Sequence, residues 1–375
     1  MVLTATRCLL VAGALSGWMC AQNASRVAPV PQDPLELASG AIQTADSPAS
    51  RAPALDLLSR AREHFALRST RQGYDLKVRF NVNSGGVTEY DGAWQMEDIF
   101  DPKQGLHWTA KAAAGYTVTE ISLNGKRYAE GTAGNFPLRL QEARSALFGA
   151  VPSAAYVQRG VIRTSTASLD GAPVVCVLFS APENAGALPA GRGWDESEEC
   201  IDPQSGLLKM YSQAPGRYLS YDYTNAPNLG GHILPRTVTV TESGHVVSRI
   251  SVDSLEALAS ADPSLFAVTE DMKERGQPNL MADTQKIWRF AGAPSFSPDA
   301  TLQPVCVFGL VTPAGDLVEA HSLQPSDPHS AAALEAARHM TFPAPLALGR
   351  ARPPAQQHFE FVFVGFTSSR QASGL

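Results

Sequence analysis

The stretch YDLKVRFNV, Tyr74 to Val82, alternates without a break: Tyr74, Leu76, Val78, Phe80 and Val82 are apolar, while Asp75, Lys77, Arg79 and Asn81 are polar. Successive side chains on a strand point to opposite faces, so a period of two requires one buried face and one wet face. Similar runs follow on its C-terminal side, in GGVTEYDGAWQM (85–96), GLHWTAKAA (105–113) and YTVTEISLNGKRYAE (116–130). Asp101-Pro102 through Gly105 and the pair Asn124-Gly125 separate them, and Asn-Gly favours a tight hairpin because both residues accept positive φ. Further on, Asp170-Gly171 divides VQRGVIRTSTASLDGAPVVCVLFS (157–180), and a Pro-Gln-Ser-Gly turn divides EECIDPQSGLLKMYS (198–212). Ser243-Gly244 divides the two alternating runs of TVTVTESGHVVSRISVDSLEAL (237–258).

Helical spacing occurs at few places. ALDLLSRAREHFAL (54–67) brings Leu55, Leu58, Arg62 and Phe65 to one face, and LRLQEARSALFGAV (138–151) interrupts the strands. Many short strands joined by hairpins, with few helices, predict an α+β fold built on a large antiparallel sheet over residues 54–272. A sheet of this length must curl to hide its apolar face, and the helices are available to cover one side.

This pattern resembles the periplasmic lipoprotein-carrier family and its outer-membrane-receptor relatives. The leading helix, YDLKVRFNV, the meander and the late run CIDPQSGLLKMYS…YDYTN…LPRTVTV carry the resemblance. It implies a curved half-barrel with helices across an apolar cavity, and an apolar ligand such as a lipid or acyl chain. The competing outcome is a concavity filled by the sheet's own side chains.

Residues 273–300 are polar, with Gly276, Pro278, Gly292, Pro294 and Pro298, and read as a linker. Beyond it, QPVCVFGLVTPAGDLVEAHSL predicts a hairpin about residues 313–316. SDPHSAAALEAARHM predicts a helix capped by Asp327 with Pro328 in its first turn, and HFEFVFVGF predicts a final strand. This β-β-α-β unit, residues 301–366, resembles the C-terminal domain of the TonB family through its Gly-Asp turn, AALEAARHMTFPAP and FEFVFVGF. The resemblance implies an exposed last strand, with Phe359, Phe361, Val362, Phe363 and Val364 as the edge on which an envelope or outer-membrane protein would add a strand. Pairing of that edge with a second copy, giving a homodimer, is the competing use. Residues 367–375 are a tail.

Length, charge and the N-terminus bound the setting. At 375 residues the chain has room for two cores, and a net charge of -6 without a Lys/Arg block gives no basis for nucleic acid or an anionic membrane surface. MVLTATRCLLVAGALSGWMCAQ has the Arg7, apolar Cys8–Met19 and small-residue exit of a secretory signal peptide, residues 1–21. Residues 22–53, rich in Ala, Ser and Pro, read as a disordered tether. These features place the chain in the periplasm, with anchoring in the inner membrane by an uncleaved segment as the alternative. After cleavage Cys176, Cys200 and Cys306 remain. Cys176 and Cys200 are the natural disulfide pair in an oxidising compartment, two buried thiols being the alternative, and Cys306 is a core residue.

The search for catalytic patterns yields a non-enzymatic expectation without cofactor or metal, an envelope hydrolase with an unrecognised site being the lesser alternative. His64, His107, His232, His245, His321, His329, His339 and His358 never stand at zinc-protease spacing, and no cysteine pair has metal-ligand spacing. No phosphate-binding loop or serine elbow is present, and GRGWDE at Gly191 lacks the third glycine of a dinucleotide fingerprint. The acidic run Asp195, Glu196, Glu198 and Glu199 lacks calcium-loop order and reads as a solvated loop.

Overall fold

The computed structural model describes residues 42–69, 71–132, 137–180, 191–193, 196–275, 280–281, 285–291, 305–312, 314–340, 342, 346–347, 350–351 and 358–368. The signal segment and residues 22–41 of the tether lie outside them.

The elements in chain order begin with β1 (Gln43–Thr44) and α1 (Pro48–His64), then β2 (Gly73–Val82), β3 (Gly92–Asp101), β4 (Gly105–Ala112), β5 (Thr117–Leu123) and β6 (Lys126–Gly131). Next come α2 (Leu138–Phe148), α3 (Ala154–Arg159), β7 (Val161–Leu169), β8 (Ala172–Ser180), β9 (Ser197–Ile201), β10 (Leu208–Ala214) and β11 (Arg217–Asp222). After the short β12 (Asn228–Leu229) and β13 (His232–Ile233), β14 (Thr237–Glu242) and β15 (His245–Leu258) complete the first part. The rest comprises α4 (Glu270–Arg275), β16 (Leu280–Met281), β17 (Gln285–Ala291), β18 (Val305–Val311), β19 (Leu317–Ser322), α5 (Ser330–Arg338), β20 (Leu346–Ala347), β21 (Arg350–Ala351) and β22 (His358–Ser368).

Thirteen strands form one open antiparallel sheet, ordered β1-β7-β8-β9-β10-β11-β14-β15-β2-β3-β4-β5-β6. The stretch that decides the fold, β2, lies in its interior, and β15, 160 residues later, pairs with it from Ser248↔Val82 to Leu258↔Gly73. Register shifts at Leu208/Met210, Tyr211/Ala214, Val240/Thr241 and Val252/Ser254 bend the sheet where the ladder is interrupted. Three two-residue turns occur where expected. Asn124-Gly125, Asp170-Gly171 and Ser243-Gly244 all have positive φ at both positions, the geometry that matches strand twist.

One face carries the main core. Leu76, Val78, Phe80, Trp94, Trp108, Val177, Leu219, Val238, Val240 and Ile250 bury together with Leu57, Leu58 and Ala61 of α1, Leu140, Ala143 and Leu147 of α2, and Val157 of α3. The expected architecture, a large open sheet with helices on one side, is therefore present. Order begins earlier than the tether reading allowed. Ser47 and Ser50 cap each other reciprocally and Pro48 starts α1, so the helix forms through the Pro-rich stretch despite the missing N–H of Pro53.

The terminal unit departs from the expectation. β18 pairs antiparallel with β19 on one side and with β22 on the other, while β22 also pairs in parallel with β16 and β17. The last strand is thus interior: Val362 stands opposite both Gly309 and Gln285, and Phe363 opposite Phe308 and Lys286. The predicted edge is not free at Phe359, Val362, Phe363 and Val364: residues 280–281 and 285–291, taken as linker, supply strands opposite them, while Phe361 stands opposite Leu310 of β18. The helix also starts two residues late. Asp327 accepts from His329 N at 2.8 Å in the preceding turn instead of capping α5.

The all-apolar run VCVFGLV of β18 has a direct cause. Val305, Val307 and Val311 pack with Ala333 and Ala337 of α5, while Cys306, Phe308 and Leu310 pack with Leu138 of α2, Ala214 of β10 and Leu323. Both faces are covered, one by the unit's own helix and one by the large sheet's end.

Candidate functional site

Helix α2 lies across the helix-covered face of the sheet, and ion pairs from its first turn and its middle reach different strands. Arg144 donates to Glu120 of β5 at 3.2 Å from each terminal nitrogen, and its guanidinium sits 4.2 Å from the centre of the Trp108 ring. Arg127 joins the same carboxylate. Burial alone would raise Glu120, but the two arginines hold it below the usual carboxylate range. In the first turn Arg139 makes two 2.8 Å bonds to Glu242 of β14 and one of 3.0 Å to Glu142. Arg217 of β11 pairs with Glu142 and, at 3.0 Å, with Glu242.

His321 of β19 closes this cluster from the terminal unit, with Nε2 2.6 Å from Glu242 Oε2. The Phe308 ring lies 5.4 Å from the His321 ring and 4.4 Å from the Arg217 guanidinium. Burial opposes ionisation of Glu242, yet Arg139 and His321 hold it well below its ordinary pKa. Burial pushes Arg217 down to about 10, with Arg139 adding repulsion and Glu242 opposing both, so it remains charged at neutral pH. Glu319, which accepts from Leu138 N at 3.1 Å at the start of α2, is raised by burial.

Around these anchors α2 contributes a short apolar seat, with Leu140 and Ala143 between Arg139 and Arg144 and Ala146 and Leu147 beyond Arg144. Part of the sheet face opposite is aromatic: Phe80 stacks on Trp94 at 5.3 Å, and Tyr116 lies 5.6 Å from Trp94 and 5.1 Å from Tyr90. Trp94 Nε1 donates to the Tyr90 carbonyl, so the indole can be buried without an orphaned donor. Near the C-terminus of α2, Arg68 lies over the Phe148 ring at 4.5 Å while bonding Asp98, which also accepts from Tyr74.

At the sheet's rim, a cleft of about 850 Å³ separates the 83–87 loop and the β14–β15 hairpin from β19 and α5. Asp91 shapes the loop by accepting from Ser84 N and Gly86 N. Val246 projects half-exposed at the hairpin.

The residues singled out in the sequence fall as follows. Cys176 and Cys200 stand directly opposite each other on β8 and β9 and are joined by a disulfide. Cys306 is buried. The acidic run is not a solvated loop: Glu196, Glu198 and Glu199 are buried, Glu196 pairs with Arg163, and Glu198 pairs with Arg192 at 3.0 Å. Asp195 lies outside the described residues. Strand alternation explains the correction, since Glu198 and Glu199 lie in a strand between β8 and β10, where both faces are covered. The residues that pin α2 were missed. Their signal is LRLQEARSALF itself, where Arg139, Glu142 and Arg144 put three charges among Leu138, Leu140, Ala143, Ala146, Leu147 and Phe148.

No family profile matches the chain, and no curated protein matches it in sequence. Among solved structures, a LolA superfamily protein from Nitrosomonas europaea is 12% identical with a TM-score of 0.35, covering 58% of this chain and 98% of that one. A putative outer membrane lipoprotein-sorting protein domain from Vibrio parahaemolyticus is 9% identical with a TM-score of 0.33, covering 56% and 95%. LprF from Mycobacterium bovis is 12% identical with a TM-score of 0.21, covering 56% and 97%. Likenesses at these scores carry no argument about ligand or role, and the TonB resemblance of the terminal unit has no counterpart in these three.

Proposed function

We propose that the chain is a non-catalytic binding protein of the cell envelope that takes an apolar, acyl-chain-like ligand between α2 and the aromatic face of its half-barrel-like sheet. The observation that carries this reading is how α2 is fastened. Ion pairs from Arg139 to Glu242 and from Arg144 to Glu120 hold its first turn and its middle, and four small or aliphatic side chains make up its apolar seat. Charges buried in a pair regain hydration when the pair opens, so such a closure is cheaper to lift than an apolar interface of equal area. Lifting α2 would bare Trp108 and the surface around Trp94 to a ligand chain. The N-terminal signal pattern and the disulfide support an envelope setting.

The test is tryptophan quenching by a brominated fatty acid, with Trp94→Phe and Trp108→Phe separating the contributions. Saturable quenching that falls sharply in Trp108→Phe is the expected result. Absence of quenching at saturating probe, together with no lipid in native mass spectra, would remove the proposal. A second reading has its own observation: in the described residues the sheet face is packed by its own side chains, and a cleft opens at the rim instead. There the sheet is a filled scaffold for assembly, and quenching would be absent while partner binding depended on the 83–87 loop and the β14–β15 hairpin.

A further inference from the structure

We infer that Cys176, Cys200 and Glu198 form a redox-gated zinc site: a disulfide when oxidised, and a two-thiolate, one-carboxylate site for Zn²⁺ when reduced. The argument starts from register. Cys176 of β8 faces Cys200 of β9 directly, with Cα atoms 3.9 Å apart, and Glu198 precedes Cys200 by two residues, which returns its side chain to the same sheet face. One sulfur from each cysteine and one carboxylate oxygen all lie within 4.8 Å of one another, and Glu198 Oε1 is 3.3 Å from Cys200 Sγ. All three residues are buried. Zinc binds thiolate at about 2.3 Å and carboxylate at about 2.0–2.2 Å, so the three donors are close enough to reach one ion once reduction lets the two bonded sulfurs part. Met210 of β10 holds the register position opposite Cys200 and belongs to the same buried cluster, adding a soft neighbour.

Charge makes the case specific. Arg192 pairs with Glu198 Oε2 and is fixed by its bonds to the carbonyls of Glu196 and Ser212. In the disulfide state the Arg192–Glu198 pair is neutral by itself. With two thiolates the site carries two further negative charges, and one Zn²⁺ cancels them. Both states are therefore electroneutral in a buried place where net charge is costly. Arg192 meanwhile orients the carboxylate and leaves Oε1 toward the sulfurs, the usual role of a residue behind a metal ligand.

The conversion balances. The Cys176–Cys200 bond breaks as two electrons and two protons arrive from a dithiol reductant, which becomes a disulfide. Zn²⁺ then displaces the two thiol protons to solvent.

The test uses the full chain, reduced by a phosphine under anaerobic conditions and titrated with Co²⁺ as a spectroscopic probe, then with Zn²⁺. One equivalent of Co²⁺ should give a sulfur-to-cobalt charge-transfer band that one equivalent of Zn²⁺ abolishes. The oxidised chain should give none. Cys200→Ser should lose the band, Cys306→Ser should keep it, and Glu198→Gln should bind at least about tenfold more weakly, in the range of ligand-shell losses. Circular dichroism identifies any unfolded variant, in which case the reduced and oxidised wild-type titrations decide alone. A folded, reduced wild-type chain without the band, or a band equal in the oxidised chain or in Cys200→Ser, would overturn the site.

Discussion

Replacing Glu242 by Gln keeps the side chain's shape and removes one charge from the most connected buried group at the end of α2. Glu242 receives two bonds of 2.8 Å from Arg139, one of 3.0 Å from Arg217 and a contact of 2.6 Å from His321. Without its charge, two buried guanidiniums share Glu142 as their remaining carboxylate in the cluster. Removing one partner of a buried pair costs about 3–5 kcal/mol, because the other partner stays desolvated and unpaired. In urea, with a slope of about 3 kcal/mol per molar, the unfolding midpoint should fall by roughly 1–1.7 M. Both tryptophan fluorescence and far-ultraviolet circular dichroism should report the shift. A change of less than about 0.3 M would refute the reasoning, since it would mean that water already shares the charge of this cluster.

Further outcomes follow from particular contacts. Glu242 is held below its ordinary pKa in the folded chain, so its contribution is present above the unfolded carboxylate value of about 4.3 and is lost as pH falls through the folded one. Acid unfolding monitored from pH 6 to pH 2 should therefore lose part of its pH dependence in Glu242→Gln, and identical profiles would contradict this. Reducing the disulfide, which closes a separation of 24 residues, should cost about 3.5 kcal/mol in the chain-entropy treatment, read as a midpoint shift between oxidised and reduced chains. Gly160→Ala would place a Cβ 2.1 Å from the Phe179 ring and 2.5 Å from the Ser180 carbonyl, so a loss of about 1–3 kcal/mol is expected in the same titration. Arg144→Met removes both the Glu120 bonds and the cation over Trp108, and it should red-shift indole emission through water entry without abolishing folding.

The sheet was legible because its information is local. Tyr74–Val82 alternates, and Asn124-Gly125, Asp170-Gly171 and Ser243-Gly244 name their own turns. Local signals could not tell that β15 returns to pair with β2, a contact between segments 160 residues apart. They also could not tell that residues 285–291 pair with β22, which turned the expected free edge into an interior strand. The apolar wording of β22 was read as an edge seeking a partner, whereas strands flank it on both sides, and the apolar run of β18 arises because α5 covers one face and α2 with β10 the other. The candidate site was less legible still. Arg139, Glu142, Arg144, Arg217, Glu242 and His321 sit on four elements, and no spacing along the chain announces their meeting. Cys176, Glu198 and Cys200 escaped for a related reason, because metal-ligand spacing rules describe turns and helices and these donors meet across two strands.

Hydrogen exchange of the α2 amides, residues 138–148, with and without a saturating fatty acid tests the central claim most directly. If α2 is a displaceable closure, those amides lose protection when the ligand binds, while β2, β3 and β4 beneath them keep theirs. Unchanged exchange in α2, with new protection confined to the 83–87 loop and the β14–β15 hairpin, would contradict the account.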